Sequence, residues 1–234
     1  LFVQAGVAIG ESLANSMFLI HIGVEQLPII YMLTPFIILF IYIPIYSFFT
    51  KRYSETIFFK YFMMMLMLMN IAVLLFINMA KEFMPHEMYQ GVFYFLLLYV
   101  TVTVITLYTL LWNFIDTFFD ILDSKRVFSI FSAGTAIGAI IGGASISVLT
   151  QYFTAEYLLV LWSIFTFFAF YLLIKIPKSF KSIDDNEIEE EELPMAQQLI
   201  AMFKNLKSSP YVLVLSIVFL FSIFIATLLE YEYM

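Results

Sequence analysis

Seven runs of apolar residues, each long enough or nearly long enough to cross a bilayer as a helix, occupy positions 3–22, 29–49, 57–80, 91–115, 127–150, 156–175 and 211–229. A helix needs about 20 such residues to cover the hydrocarbon core. Short polar segments at 23–28, 51–56, 81–90, 120–126 and 150–156 separate the first six runs. The pattern predicts an all-α polytopic membrane protein. Only 12% of the residues are charged and 63% are hydrophobic, whereas a soluble domain carries about 25% charged residues. A chain this apolar has the lipid bilayer as its solvent and first partner, and a soluble globular fold is excluded.

Charge sets the orientation. With a cytoplasmic N-terminus, the inner segments hold Lys51, Arg52, Lys60, Lys125, Arg126, Lys175, Lys178, Lys181, Lys204 and Lys207, and the outer ones hold only Lys81. Ten of the eleven basic residues therefore fall on one side, the bias that marks a cytoplasmic face. The same alternation supports the span count, because one false or missing helix would scramble it. The net charge of −7 does not describe an acidic surface, since seven acidic residues lie between 184 and 192 alone. No basic arm of the kind that tracks nucleic acid is present, so no nucleic-acid partner is expected. Cysteine is absent, which rules out disulfides and thiolate metal sites.

Three domains are predicted. Residues 1–175 form an N-terminal six-helix transmembrane bundle, 176–210 a cytoplasmic linker, and 211–234 the first helix of a second bundle. The linker holds an acidic stretch at 183–193, too charged to pack. It continues at 195–206 with Leu199, Ile200, Phe203 and Leu206 on one helical face. That piece reads either as an amphipathic helix at the inner membrane surface or as part of a solvated linker. Residue 1 is Leu and no signal-peptide pattern is visible, so the chain is expected to be part of a longer product. Six spans, a long charged linker and a further span form the layout of a six-plus-six transporter of the major facilitator type. The expected fold is its N-terminal six-helix half plus the seventh helix, with the other half as a partner.

Ionisable and strongly polar residues at bilayer depth are costly and mark functional candidates. The first run carries Gln4, Glu11 and Asn15 at helical spacing, one polar stripe. The fourth carries Tyr108, Trp112 and Asn113, continuing to Asp116 and Asp120. Spans one and four are therefore expected to line a wet cavity, with spans three and six facing lipid more fully. Glu11, Asn15, Tyr108, Trp112 and Asn113 are the candidate substrate or coupling-ion residues. Glu11 reads either as a cavity carboxylate or as a structural one bonded to a neighbouring helix. Asp116 and Asp120 share a face near Lys125, Arg126, Lys51 and Arg52, a candidate cytoplasmic gate of pairing charges. The alternative is a solvated helix end with ordinary surface pairs, each contributing ~0–1 kcal/mol.

Gly134, Gly138 and Gly142, followed by Gly143, form a smooth ridge on the fifth run. Such a ridge lets a second helix approach closely and is a packing signal. His21 and His86 are far apart and fit no metal-ligand spacing. The cluster Met63, Met64, Met65, Met67 and Met69 reads as lipid-facing or packing material. No histidine box or nucleophile–base pattern is present, so no catalytic residue, metal or cofactor is expected and the chain is not expected to be an enzyme. A retinal protein or seven-helix receptor fits less well, because the seventh run has no lysine and the inner segment before it is long.

Three stretches together resemble the ATP/ADP antiporter (nucleotide transporter) family and its bacterial major-facilitator-like relatives. The first is Gly23-Val24-Glu25-Gln26-Leu27-Pro28-Ile29-Ile30-Tyr31. The second runs from Trp112-Asn113 through Asp120 to Lys125-Arg126-Val127-Phe128 and Ala133-Gly134. The third is Thr227-Leu228-Leu229-Glu230-Tyr231-Glu232-Tyr233. The resemblance covers nearly the whole chain and about the first half of a family member. It implies a secondary transporter of twelve helices working by alternating access on a small-molecule substrate, nucleotides or another organic anion, in a bacterial inner membrane. On that reading the N-terminus and 176–210 are cytoplasmic. Some relatives carry fused soluble domains, which leaves a membrane-anchored sensor as the alternative. Phosphates are bound by Arg or Lys, yet no Lys or Arg lies mid-span here. Either the other half supplies them or the substrate is different.

Overall fold

The computed structural model describes residues 1–50, 52–116, 121–175 and positions 214, 217, 218, 221, 222 and 225, with their side chains except at 55, 86, 87, 116 and 121–127. The chain divides into two units, Leu1–Asp185 and Asn186–Met234. In the second unit all six described positions are helical and exposed, and the Ser222 hydroxyl donates to the Val218 carbonyl at 2.9 Å. They fall inside the seventh predicted run. The rest of that run, the acidic stretch and the amphipathic piece lie outside the described residues.

The first unit is helical throughout its described length apart from short turns. Helix α1 spans Phe2–His21, α2 Leu27–Ile37, α3 Ile43–Thr50, α4 Glu55–Phe83, α5 His86–Asp116, α6 Ile121–Leu149 and α7 Leu158–Lys175. Six stretches are long and apolar enough to cross a membrane: Phe2–His21, Val24–Thr50, Thr56–Phe83, Met88–Ile115, Phe128–Leu149 and Ala155–Lys175. They coincide with the first six predicted runs to within a few residues. We refer to them as spans 1 to 6.

Local chemistry explains the breaks. Gly23 has φ +98°, a conformation open to glycine and costly for other residues, and it turns the chain between spans 1 and 2. Pro28 then sits in the first turn of α2, where its missing N–H leaves no bond unmade. Met84 is extended, with ψ 142°, because Pro85 disfavours a helical residue before it; α4 ends there. Span 2 is less regular. Pro35 and Pro44 interrupt its hydrogen-bond ladder, and a π-helical segment, Ile38–Tyr42, joins α2 to α3 between them.

Helix α1 is the hub of the bundle and packs on α5, α6 and α7, while α4 packs on α5 and α7. The core of these helices includes Ile9, Leu13, Phe18, Phe59, Phe93, Leu96 and Trp162, each at most 1% exposed. Glycine makes the closest approaches possible. A Cβ on Gly6 would lie 2.6 Å from Trp162 Cδ1, and one on Gly10 2.6 Å from Trp162 Cε3. The indole of α7 thus lies flat across two bare turns of α1.

The glycine ridge of α6 faces α1. A Cβ on Gly142 would meet the Ala5 carbonyl oxygen at 2.7 Å, and one on Gly138 would strike the Leu1 carbonyl and reach Gln4 Cβ at 2.9 Å. Gly134 only approaches Leu1, and Gly143 points into open space. The ridge is therefore Gly138 and Gly142, extended loosely by Gly134.

One packing expectation holds only in part, because it left out spans 2 and 5. Spans 3 and 6 bury less of their length than spans 1 and 4, as expected, but they also pack on each other, with Asn70, Leu159, Trp162 and Thr166 buried. Spans 2 and 5 bury the smallest share of their length. Hydropathy cannot report this, because lipid tails are as apolar as leucine and do not force apolar faces together. The methionine cluster divides accordingly: Met63 is buried at 2% exposed, whereas Met64 and Met65 are 44% and 56% exposed.

Candidate functional site

The polar stripe of α1 and the polar face of α5 meet. The Tyr108 hydroxyl donates to Gln4 Oε1 at 2.7 Å, tying spans 1 and 4 together. Glu11 lies two turns further along α1, midway in a helix that runs Phe2–His21. Its carboxylate is near enough to Tyr108 to act on that hydroxyl electrostatically. Ala5, Gly6, Ile9, Gly10, Leu13 and Ala14 are buried, whereas Gln4 and Asn15 are half-buried and Glu11 is exposed. The stripe is thus the uncovered side of a helix whose other sides are packed.

A second junction extends the polar face of α5 toward span 2. Asn113 Nδ2 donates to the Tyr46 hydroxyl at 3.4 Å. One turn nearer mid-span, the Tyr42 hydroxyl is buried beside Thr106 and Thr109 without good hydrogen-bond geometry to either. Both threonines spend their own protons on backbone carbonyls, Thr106 on Val102 at 2.7 Å and Thr109 on Ile105 at 2.8 Å. Their oxygens remain available as acceptors for Tyr42. Trp112, by contrast, stacks on Phe128 of α6 with centroids 4.7 Å apart, so it joins spans 4 and 5 on another side.

Tyr42, Tyr46, Thr106 and Thr109 escaped sequence reasoning. Tyrosine counts as apolar in a hydropathy profile, and a lone threonine in a span normally bonds its own helix. The signal that could have found them is spacing: Tyr42 and Tyr46 are four residues apart, and Thr106, Thr109 and Asn113 follow at three and four.

A further polar cluster is sealed in the bundle away from this face. Asn70 is fully buried, and its Oδ1 accepts the Tyr99 hydroxyl at 2.6 Å. Among the described residues, Asn70 Nδ2 and Trp162 Nε1 have no hydrogen-bond partner. Outside the bundle core, His21 closes α1: its Nδ1 bonds the Met17 carbonyl at 2.9 Å and its ring stacks on Phe93 at 3.9 Å. These contacts are those of a helix-end packing residue; the side chain of His86 is outside the described residues.

Of the gate candidates, Arg52 lies exposed in the turn after α3. Asp116, Lys125 and Arg126 have helical backbone, but their side chains lie outside the described residues, as do Lys51 and Asp120 altogether. The alternation of spans puts Arg52, Lys60 and Lys175 at one end of the bundle and Lys81 at the other. Lys175 lies 4.5 Å from the Tyr171 ring centroid, a cation–aromatic pair suited to the last turn of a span.

The fold and these polar junctions define a multi-span helical membrane protein. No family model, curated protein or solved structure matches the chain.

Proposed function

We propose that this chain is the first half of a secondary transporter that works by alternating access, with Glu11 in its substrate or coupling-ion cavity. The observation that carries the reading is the placement of Glu11: mid-span, exposed, on the uncovered side of the hub helix and two turns along from the Gln4–Tyr108 pair. A carboxylate at that depth is costly against lipid and tolerable against a wet cavity.

The packing order supports the same reading. Let spans 1, 2 and 3 exchange with spans 4, 5 and 6. The contacts of 1 with 4 and of 3 with 6 map onto themselves, and that of 1 with 6 maps onto 4 with 3. The contact of 1 with 5 maps onto 4 with 2, where packing is sparse and the Tyr46–Asn113 bond bridges the two. Two nested three-helix repeats of this kind build each half of a facilitator-type transporter. In such a protein the cavity lies between two six-helix halves, so the uncovered stripe of α1 is where the second half would face.

For the substrate, the resemblance to nucleotide antiporters favours a nucleotide or another organic anion. The described cations Arg52, Lys60, Lys81 and Lys175 all sit toward span ends. Phosphate-binding cations would accordingly come from the second half. The test is exchange of radiolabelled nucleotides by the full-length protein in proteoliposomes, with Glu11→Gln alongside. Saturable exchange that falls in the variant is expected. A folded protein with no exchange of nucleotides or other organic anions would overturn the transport reading and favour a sensor on a transporter-like scaffold.

A further inference from the structure

A cavity of about 670 Å³ separates span 2 from α4 and α5. Its walls come from Ile41, Tyr42 and Ile45 on one side and from Phe62, Met65 and Val102 on the other. The volume falls within the ~300–1,000 Å³ of small-molecule sites, which are likewise apolar and aromatic with few polar groups. Span 2 is pinned above and below this gap. Leu27 and Ile30 enter the core at one end. At the other, Phe49 stacks on Phe58 at 5.7 Å and Tyr46 meets the same ring at 5.8 Å. Between these pins, the π-helical segment and its flanking prolines hold the backbone away from α4. The cavity opens sideways, since its wall residues Ile41, Ile45 and Met65 are 56%, 52% and 56% exposed.

The mouth differs in chemistry from the walls. The chain leaves α3 in a tight turn in which the N–H groups of Arg52 and Tyr53 both reach the Phe49 carbonyl at 3.1 Å. Phe49 and Tyr53 line the cavity, and the exposed cation Arg52 lies between them in sequence. Tyr53 and Tyr61, also lining residues, are 43% and 60% exposed, as phenols at a membrane interface are. From Tyr42 to Thr50, eight residues of helix cover roughly 12 Å, somewhat under half the hydrocarbon core. The cavity thus runs from two phenols, the first preceded in sequence by the exposed Arg52, into an apolar gap between span 2 and α4.

We infer that this cavity holds one acyl chain of an anionic phospholipid whose phosphate is bound by Arg52. The occupant is set by position and charge: the opening is lateral, at lipid depth, and the turn that carries Phe49 and Tyr53 to its polar end also carries the exposed cation Arg52. Basic pockets between helices at a membrane face bind anionic headgroups in the same way. The site is separate from the Glu11 stripe and does not depend on the transport reading.

The test is native mass spectrometry of the full chain in neutral detergent, with palmitoyl-oleoyl phosphatidylglycerol and the matching phosphatidylcholine added in equal amounts. A roughly fivefold preference for the anionic lipid is expected, corresponding to the ~1 kcal/mol that one interfacial cation contributes. Arg52→Gln should abolish the preference, and Ile41→Trp, which fills the gap, should reduce binding of both lipids. Should Ile41→Trp fail to fold, Met65→Trp fills the same space from α4. Equal binding of the two lipids to the unaltered protein, a preference that survives Arg52→Gln, or undiminished binding to a folded cavity-filled variant overturns the proposal. Oleate displacing the phospholipid at equal concentration overturns it in favour of a free fatty acid.

Discussion

The Tyr108 hydroxyl and Gln4 Oε1, 104 positions apart in sequence, meet at 2.7 Å between α5 and α1. Removing the hydroxyl tests the bond with little change of shape. Interhelical hydrogen bonds in membranes average ~0.6 kcal/mol and reach ~1.7. Tyr108→Phe is expected to cost stability in that range, measured by reversible unfolding in mixed micelles. Gln4→Leu should cost a similar amount, and the double variant less than the sum of the two. Additive losses would mean that the two residues do not interact in the membrane.

Trp162 and the bare turns of α1 make a sharper steric test. Gly10→Ala drives a methyl into the indole, and overpacking of this kind costs ~1–3 kcal/mol. Trp162→Leu removes the obstruction, so Gly10→Ala should cost much less in that background. Gly143→Ala is the control, since a Cβ there meets nothing within 4 Å, and its melting temperature should match the parent. On α6, Gly138→Leu should impair folding and Gly134→Ala should be mild. Equal effects at all four ridge glycines would contradict the packing of α6 on α1.

These glycines mark where sequence reasoning stops. The spans were legible because a run of about 20 apolar residues is a one-dimensional signal with a physical threshold. The stripe of Gln4, Glu11 and Asn15 was legible because helical period alone puts the three on one face. A ridge on α6 could be read from spacing, but its partner could not, nor could its division into Gly138 and Gly142 against Gly143. Gly6 and Gly10 stand at the same four-residue spacing as the α6 ridge, but spacing alone does not name the Trp162 indole that lies on them. That spans 2 and 5 bury less than spans 3 and 6 was not legible for a related reason. A membrane helix poor in polar groups can face lipid or protein equally well, and side-chain shape decides.

Asn70 and Tyr99 test a buried polar group in a dry setting. Asn70→Leu leaves the Tyr99 hydroxyl without its acceptor, and an orphaned buried group costs ~1–3 kcal/mol. Tyr99→Phe in the same chain removes the orphan, so the double variant should be more stable than Asn70→Leu alone. Reversible unfolding of the three variants checks this. A double variant no more stable than Asn70→Leu would show that Asn70 is held by other contacts.

Glu11 separates function from stability. A structural carboxylate, bonded to a neighbouring helix, would make Glu11→Gln destabilising by the ~1.5–3 kcal/mol of a hydrogen bond to a charged group. A cavity carboxylate is instead held against the solvation preference of its charge, and replacing it relieves that cost. Glu11→Gln keeps the shape and a hydrogen-bonding head at that position, so it is expected to change unfolding free energy by less than ~1 kcal/mol. Substrate exchange should meanwhile fall at least tenfold. Glu11→Leu sharpens the contrast: it should fold in detergent and be inactive in proteoliposomes. Loss of stability and activity together in both variants would assign Glu11 to the framework and remove the observation on which the transport reading stands.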